Sequence, residues 1–450
     1  MVKNRDPVEF LRKKYSGKNV LVLGIGALGG GVGVAHFFVD IGAKVVATDL
    51  KSNEQLDQVL LKQLEEQGVK LELGGHSREM IDNADLVIRN PAVSRDSEFV
   101  LYALEKGIPV EMEIALFTKV CPAPIIGITG TRGKTTTCNM IYVSLQAAGH
   151  DVLLGGNIHG ISTLELLYEV KEKSIVVLEL SSWALQGFAN SLLSPTIAVI
   201  TNIYPDHLNR YSDMQSYIED KQAIFANQKN QDVLFLNNAN GLSNKFAKMA
   251  GGKVKMFSIA DLPKDYKLQL PGDHNRENAA AALAVTTFLG LDRKNVLSEL
   301  STFSGVPYRL EIVAEINGVT YINDTTSTTP TSVIAALNAF KDKPIVLILG
   351  GADKNLPLNQ LTQAIKNEKQ IKHIIYLKGD GTQKLLKSLC KEDETVYDNL
   401  EQALSAAASK TKRGDYVLFS PGFTSFSMFR NEFDRGDQFN QIIKSINAKD

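Results

Sequence analysis

Short apolar runs rich in β-branched residues alternate with stretches of helical period along almost the whole chain. "NVLVLG", "AKVVATD", "VKLEL", "DLVIR" and "IPVEM" form a first series. A second runs through "APIIGITG", "SIVVLELSS", "TIAVITN" and "DVLFLN". A third opens after "GVPYRLE" with "GVTYIND" and continues through "PIVLILGG", "HIIYLKG", "TVYD" and "DYVLFSPG". Continuous apolar strands separated by helices predict mostly parallel sheets covered on both faces, the α/β class. The series predict three modules, residues 1–112, 113–305 and 306–450.

Composition narrows the class. A chain of 450 residues exceeds one core, and 44% hydrophobic residues suffice to fill several. The 49 Lys and Arg nearly cancel the 50 Asp and Glu, which gives no electrostatic case for nucleic acid or an anionic membrane. Cys121, Cys138 and Cys390 are far apart and form no CxxC pair, so neither a disulfide frame nor a zinc site is expected. The N-terminal stretch lacks the apolar core of a signal peptide, and no apolar run reaches membrane-spanning length. The expectation is a soluble cytoplasmic protein, and a monomer.

"PIIGITGTRGKTTTCNMIYVSLQAAG" reads as strand, glycine turn and helix. Backbone N–H groups freed by Gly130 and Gly133, with Thr131, Arg132 and Thr136 beside them, would face phosphate oxygens at a helix N-terminus. Lys134 would reach the terminal phosphates and the Thr135 hydroxyl would ligate Mg²⁺. The spacing departs from the strict phosphate-loop pattern, since Gly127 lies one residue early. A plain strand-to-helix turn with an exposed lysine is the alternative. Glu179 ends an apolar strand, where a carboxylate either meets a cation held by Thr135 or simply reaches solvent. Asp206, His207 and Arg210 in "IYPDHLNRY" follow the next strand at the same sheet edge. Lys221, in the helical stretch "MQSYIEDKQAIFA", has a solvated helix lysine as its ordinary reading.

The flanking modules carry their own candidates. "VLVLGIGALGGGVG" holds G-x-G-x-x-G at Gly24, Gly26 and Gly29, with Asp49 ending the following strand. Such a turn serves an NAD(P) oxidoreductase, but also any ligand with a nucleoside diphosphate. A second nucleotide loop at Lys134 argues against a simple dehydrogenase. In the third module Asp324, Lys354 and Ser420–Ser425 stand just past strand ends, where open α/β sheets bind ligands. A P-loop switch protein without a small-molecule acceptor is a further rival class.

Together "GITGTRGKTTT", "GGNIHG", "LELSSW", "TNIYPDHLNRY" with its downstream lysine, "LPGDHNRENAAAAL", "GVPYRLE", "YIND" and "SPGFTSF" resemble the Mur ligase family over essentially the whole chain. The resemblance implies an N-terminal Rossmann-like domain, a central P-loop ATPase-like domain and a C-terminal Rossmann-like domain. It implies a cytoplasmic ATP-dependent amide ligase of peptidoglycan precursor synthesis, closest to the branch that adds D-glutamate to UDP-N-acetylmuramoyl-L-alanine. A relative adding another amino acid, such as L-glutamate, is the alternative. By resemblance Lys134 and Thr135 would hold phosphates and a first Mg²⁺, with Glu179 on the metal. His207 would help hold a second Mg²⁺ and touch substrate, and Lys221 would be carbamylated to bridge the metals. Asn275, Asn278, Arg309 and Asp324 would surround ATP, and Asn157 would contact the muramoyl group. UDP would lie near Gly26, Ala27, Leu28 and Lys51, and the amino acid near Thr328, Lys354 and Ser425. One departure stands out: the branch usually has Ser-Lys after the Asp, whereas "NDTTSTT" places Thr326 at the Lys position.

Overall fold

The computed structural model describes residues 6–26, 30–56, 58–158, 162–206, 211, 213–270, 272–353, 356–425 and 428–447. The chain forms two compact units, one of residues 1–266 with 276–301, the other of residues 267–275 with 302–450. The first unit holds two sheets and the second holds one, and all three are α/β.

The first sheet consists of β1 (Asn19–Leu23), β2 (Lys44–Asp49), β3 (Lys70–Leu73), β4 (Leu86–Arg89) and β5 (Val110–Glu111), ordered β3-β2-β1-β4-β5. Every pairing is parallel. Val20 and Val22 of β1 face one core, and Leu21 and Leu23 face another, as the two-residue period of a strand requires.

The second sheet consists of β6 (Ile125–Thr129), β7 (Val152–Gly156), β8 (Ile175–Glu179), β9 (Ile197–Ile200), β10 (Val233–Asn237) and β11 (Lys253–Phe257). Its order is β11-β10-β9-β6-β8-β7, again all parallel. The chain order reverses around β6, so the loops after β6, β8 and β9 share one crevice at the carboxyl edge. Two strands of this sheet escape the apolar-run criterion. β7 ends in two glycines, and β11 reads "KVKMF" with both lysines outward on the sheet edge.

In the second unit the sheet consists of β12 (Glu311–Ile316), β13 (Val319–Asn323), β14 (Ile345–Gly350), β15 (Ile371–Leu377), β16 (Val396–Tyr397) and β17 (Tyr416–Phe419). The order is β12-β13-β17-β14-β15-β16, and only the β12–β13 hairpin is antiparallel. Asn317 and Gly318 turn that hairpin with φ of 53° and 77°, the two positive values a tight turn of this kind needs. Alternation again splits the strands, with Val346, Ile348, Val417 and Phe419 in one core and Ile345, Leu347, Leu349 and Leu418 in the other. Among the described residues no helix is long and apolar enough to cross a membrane.

Candidate active site

The turn after β6 is built by the residues just past β9. Thr201 Oγ1 donates to the Arg132 carbonyl at 2.6 Å, and Asn202 accepts from the N–H groups of Thr131 and Arg132 at 2.8 and 2.9 Å. Gly130, at φ +154°, lies so close to the Thr201 hydroxyl that a side-chain carbon would collide with it. Gly133, at φ +79°, meets the Asn278 side chain in the same way. Helix Lys134–Ala147 then starts at Gly133, which has no side chain with which to cap it, at the end of a helix that favours an anion.

Two lysines enter this turn. Lys134 Nζ donates to the carbonyls of Gly130 and Thr131, both at 3.1 Å. Lys221 is only 2% exposed and donates to the Gly130 carbonyl at 2.8 Å and to Thr129 Oγ1 at 3.4 Å. Its ammonium also lies 4.8 Å from the centre of the Tyr217 ring, and Tyr217 in turn bonds Thr131 Oγ1 at 3.1 Å. Burial, reinforced by the charge of Lys134, holds the Lys221 ammonium well below the ordinary lysine range, against the pull of Asp206, Glu179 and Asp220. The solvated helix lysine of the bare sequence is thus a buried one.

Glu179 ends β8 and is 2% exposed, not solvent-facing. One carboxylate oxygen accepts from Asn157 Nδ2 at 3.2 Å, and the other, Oε2, has no hydrogen-bond partner among the described residues. A buried carboxylate oxygen left bare is costly, and a cation is the natural remedy. Thr135 stands in the first turn of the helix, with its carbonyl accepting from Asn139. Among the described residues no group of three or more His, Cys, Asp or Glu is placed to hold a metal ion. His207, predicted as a ligand, and Arg210 lie outside the described residues.

Asn278 Oδ1 accepts from Thr137 Oγ1 at 3.4 Å, which ties helix Asp273–Phe288 to the phosphate-loop helix. Asn275 is buried in the second unit, its N–H donating to the Gly272 carbonyl.

At the carboxyl edge of the first sheet, Asp49 uses one oxygen to accept from the N–H groups of Ile25 and Gly26, at 3.0 and 3.1 Å. Its other oxygen accepts from the Lys51 N–H at 3.0 Å. Asp49 therefore braces the glycine turn itself, a role that the dinucleotide reading of the sequence did not foresee. The close helix–strand approach belongs to Gly31, where an added carbon would strike Gly24 and Ile25. Gly26 and Lys51 stand at the same edge, whereas Ala27, Leu28 and Gly29 lie outside the described residues.

In the second unit the loops after β13, β17 and β14 are neighbours because those strands are adjacent. Asp324 accepts from Ser420 Oγ at 2.7 Å and from the Leu310 N–H at 3.2 Å. Burial pushes its carboxyl up to about 7, although these donors and the Arg309 charge pull the other way. Arg435, fully buried and unremarked in the sequence, donates to Thr325 Oγ1, to the Thr325 carbonyl and to the Phe423 carbonyl at 2.9, 2.8 and 3.2 Å. It clamps the β13 and β17 loops together, and burial lowers its guanidinium to about 9. Thr328, Pro330, Asp353, Leu356, Leu358, Gly422 and Phe423 close around a cleft beside them too narrow for a water molecule. Ser425 is buried with its Oγ lacking a partner among the described residues. Thr326 Oγ1 donates to the Tyr308 carbonyl at 2.9 Å, so it braces a loop where the resemblance expects a cation. Lys354 lies outside the described residues.

Known proteins place this arrangement. Residues 18–111 match the Mur ligase MurD-like N-terminal domain, residues 128–265 the Mur ligase middle domain, and residues 308–423 the Mur ligase glutamate ligase domain. A UDP-N-acetylmuramoylalanine–D-glutamate ligase of Roseiflexus sp. (strain RS-1) is 39% identical, with 96% of this chain and 100% of that relative covered. The enzyme of the same name from Borreliella afzelii (strain PKo) is 36% identical over 95% of this chain and 98% of the relative. Among solved structures, UDP-N-acetylmuramate–alanine ligase MurC of Thermotoga maritima shares the fold at a TM-score of 0.62 and 21% identity, covering 95% of this chain and 99% of that one. Three matched domains in the same order, and identity that runs the full length, establish that the chain belongs to the Mur ligase family.

Proposed function

We propose that the protein joins D-glutamate to UDP-N-acetylmuramoyl-L-alanine at the expense of ATP, in peptidoglycan precursor synthesis. The observation that carries the ATP step is a buried Glu179 whose Oε2 lacks a partner among the described residues, in the sheet whose glycine turn opens helix Lys134–Ala147. The choice of substrates is supported by the names of the full-length relatives.

The chemistry follows from what a carboxylate lacks. Its leaving group would be oxide, so amide formation needs a better one. In the proposed reaction the substrate carboxylate attacks the γ-phosphorus, the bond to the bridging oxygen breaks, and ADP leaves. The amine of D-glutamate then attacks the acyl carbon, loses a proton and expels inorganic phosphate. Little covalent work falls to the protein, so positioning and charge neutralisation dominate.

Gly130, Thr131, Arg132, Gly133 and Thr136 present the turn to the phosphates, and Lys134 exchanges its loop carbonyls for the γ-phosphate. Thr135, Glu179, His207 and Lys221 are the residues that would hold the two proposed Mg²⁺. When bound, Mg²⁺ supplies charge neutralisation across the transferring phosphoryl group. Lys221 is proposed to act as its carbamate: the buried amine attacks CO₂, an N–C bond forms as one C–O π bond breaks, and a proton leaves to solvent. An ammonium in that place would repel a metal, and a carbamate binds one. Asn275, Asn278, Arg309 and Asp324 are the proposed remaining ATP contacts. Asn157 would touch the muramoyl group, Gly26, Ala27, Leu28 and Lys51 the UDP, and Thr328, Lys354 and Ser425 the amino acid.

The test is phosphate release with ATP, Mg²⁺, UDP-N-acetylmuramoyl-L-alanine and an amino acid, each omitted in turn. Release is expected only with all four present. Equal ATP turnover without acceptor and amino acid would falsify the ligase reading. A second reading, addition of L-glutamate or another amino acid, is motivated by Thr326, which supplies no cation to a substrate carboxylate.

A further inference from the structure

A buried polar cluster joins the two sheets of the first unit. At its centre is Asp220, 4% exposed, in helix Met214–Gln222. Its Oδ1 accepts from Arg95 Nη1 at 3.0 Å, and its Oδ2 accepts from Gln186 Nε2 at 2.7 Å and Tyr211 Oη at 2.8 Å. Gln186 turns its other end to Arg89 Nη2 at 3.0 Å, and Arg89 also donates to the Val93 carbonyl at 2.6 Å. Arg89 is 2% exposed.

Aspartate is a poor helix former, and a buried carboxylate costs several kcal/mol unless well paired. Local helix stability therefore does not account for this residue, whereas the origin of its donors does. Arg95 comes from the loop after β4, Gln186 from helix Ser182–Asn190 just beyond Glu179, and Tyr211 from the segment that follows β9. One carboxylate thus gathers the first sheet and two of the elements that border the phosphate loop.

Lys221 is the next residue on the helix. Successive helical side chains point about 100° apart, so a carboxylate pinned on one side fixes the rotation of the helix and with it the lysine on the other. That lysine reaches the Gly130 carbonyl at 2.8 Å.

We propose that Asp220 is a positioning residue for Lys221, which registers the helix against the phosphate loop and, through Arg95, makes that register depend on the substrate-bearing first sheet. The inference rests on the proposed role of Lys221 at the reacting phosphates. It assigns work to residues that touch neither nucleotide nor metal.

The test uses Asp220→Asn, Arg95→Gln and the double variant of the full chain. Each single variant is expected to lower kcat about 10–100-fold, since a displacement near 1 Å at a reacting centre costs that much, with KM for ATP little changed. The double variant should lose no more than the worse single variant, because both remove one interaction. Amide hydrogen exchange at Thr131 and Arg132 should quicken in both single variants, and by more than at Val199 in the core of the same sheet. The exchange measurement needs no turnover, so it reads the inference even if the parent proves to catalyse another reaction. Parent-like kcat and exchange in a folded Asp220→Asn protein overturn the proposal. So do kcat losses that multiply in the double variant. Should Asp220→Asn fail to fold, Arg95→Gln decides alone, since that arginine side chain is 44% exposed and dispensable to the core.

Discussion

Lys134 and Lys221 donate to the same acceptor, the carbonyl of Gly130, at 3.1 and 2.8 Å. The charge of Lys134 and the burial of Lys221 both disfavour a second ammonium there, against the pull of Asp206, Glu179 and Asp220. A γ-phosphate offers Lys134 a better partner. Removing that lysine takes away charge that matters most as the phosphoryl group transfers. Lys134→Ala should therefore lower kcat roughly 10²–10³-fold and leave the melting temperature close to the parent. Phosphate release with saturating substrates is the measurement, and near-normal turnover takes Lys134 out of the site.

Lys221→Ala empties a buried space beside Glu179. Turnover should collapse and then recover in part when formate or acetate is added, because a small carboxylate restores the negative ligand that the carbamate is proposed to supply. The same salts should do nothing for Lys134→Ala. A fully active Lys221→Ala enzyme would remove the lysine from the reaction.

Glutamate brings two carboxylates, and Thr326 gives its hydroxyl to Tyr308. Losing one charged hydrogen bond weakens binding by about 1.5–3 kcal/mol. The expected result is a high KM for D-glutamate with kcat retained, and Thr326→Lys should change that KM more than the KM for ATP. Competition between D- and L-glutamate settles the handedness, and a clear preference for the L form would move the protein to the alternative reading.

Asp324 makes the second unit sensitive to pH. Its carboxyl titrates near 3.8 in an unfolded chain and at about 7 in the fold. Between those values the folded protein keeps a proton that the unfolded chain has lost, so stability falls as pH rises from about 4 to about 7 and is level above. Below pH 4 both states are protonated and the contribution is complete. The shift amounts to about 4 kcal/mol, with the opposing pull of the Arg309 charge already within it. Asp324→Asn should flatten the slope of urea-unfolding stability across this interval. An unchanged slope would show that the carboxyl does not titrate there.

Where apolar runs were continuous, as in "IIGIT" and "IVLILG", the sequence announced buried parallel strands, because a strand covered on both faces has no polar positions to confuse the pattern. β12 hid because Glu311 and Glu315 interrupt its apolar residues, and β7 because glycine supplies no side chain to read. The phosphate loop was legible because glycines, lysine and helix occur in order. The burial of Lys221 was not, since a helix lysine looks alike in sequence whether it meets water or the Gly130 carbonyl. Asp220 and Arg435 were overlooked for the same reason: their partners lie far away along the chain, at Arg95 and Thr325.

Residues 267–275 belong to the second unit, although the chain on both sides of them, up to Tyr266 and from Arg276 to Ser301, belongs to the first. During synthesis the ribosome delivers this segment long before the rest of its own unit exists. Its last residues already start helix Asp273–Phe288, whereas the rest of its own unit follows only with the chain beyond Thr302. No single cut in the gene separates the halves cleanly. A fragment that stops at Ser301 keeps a segment without the rest of its unit, and one that begins at Thr302 lacks that segment.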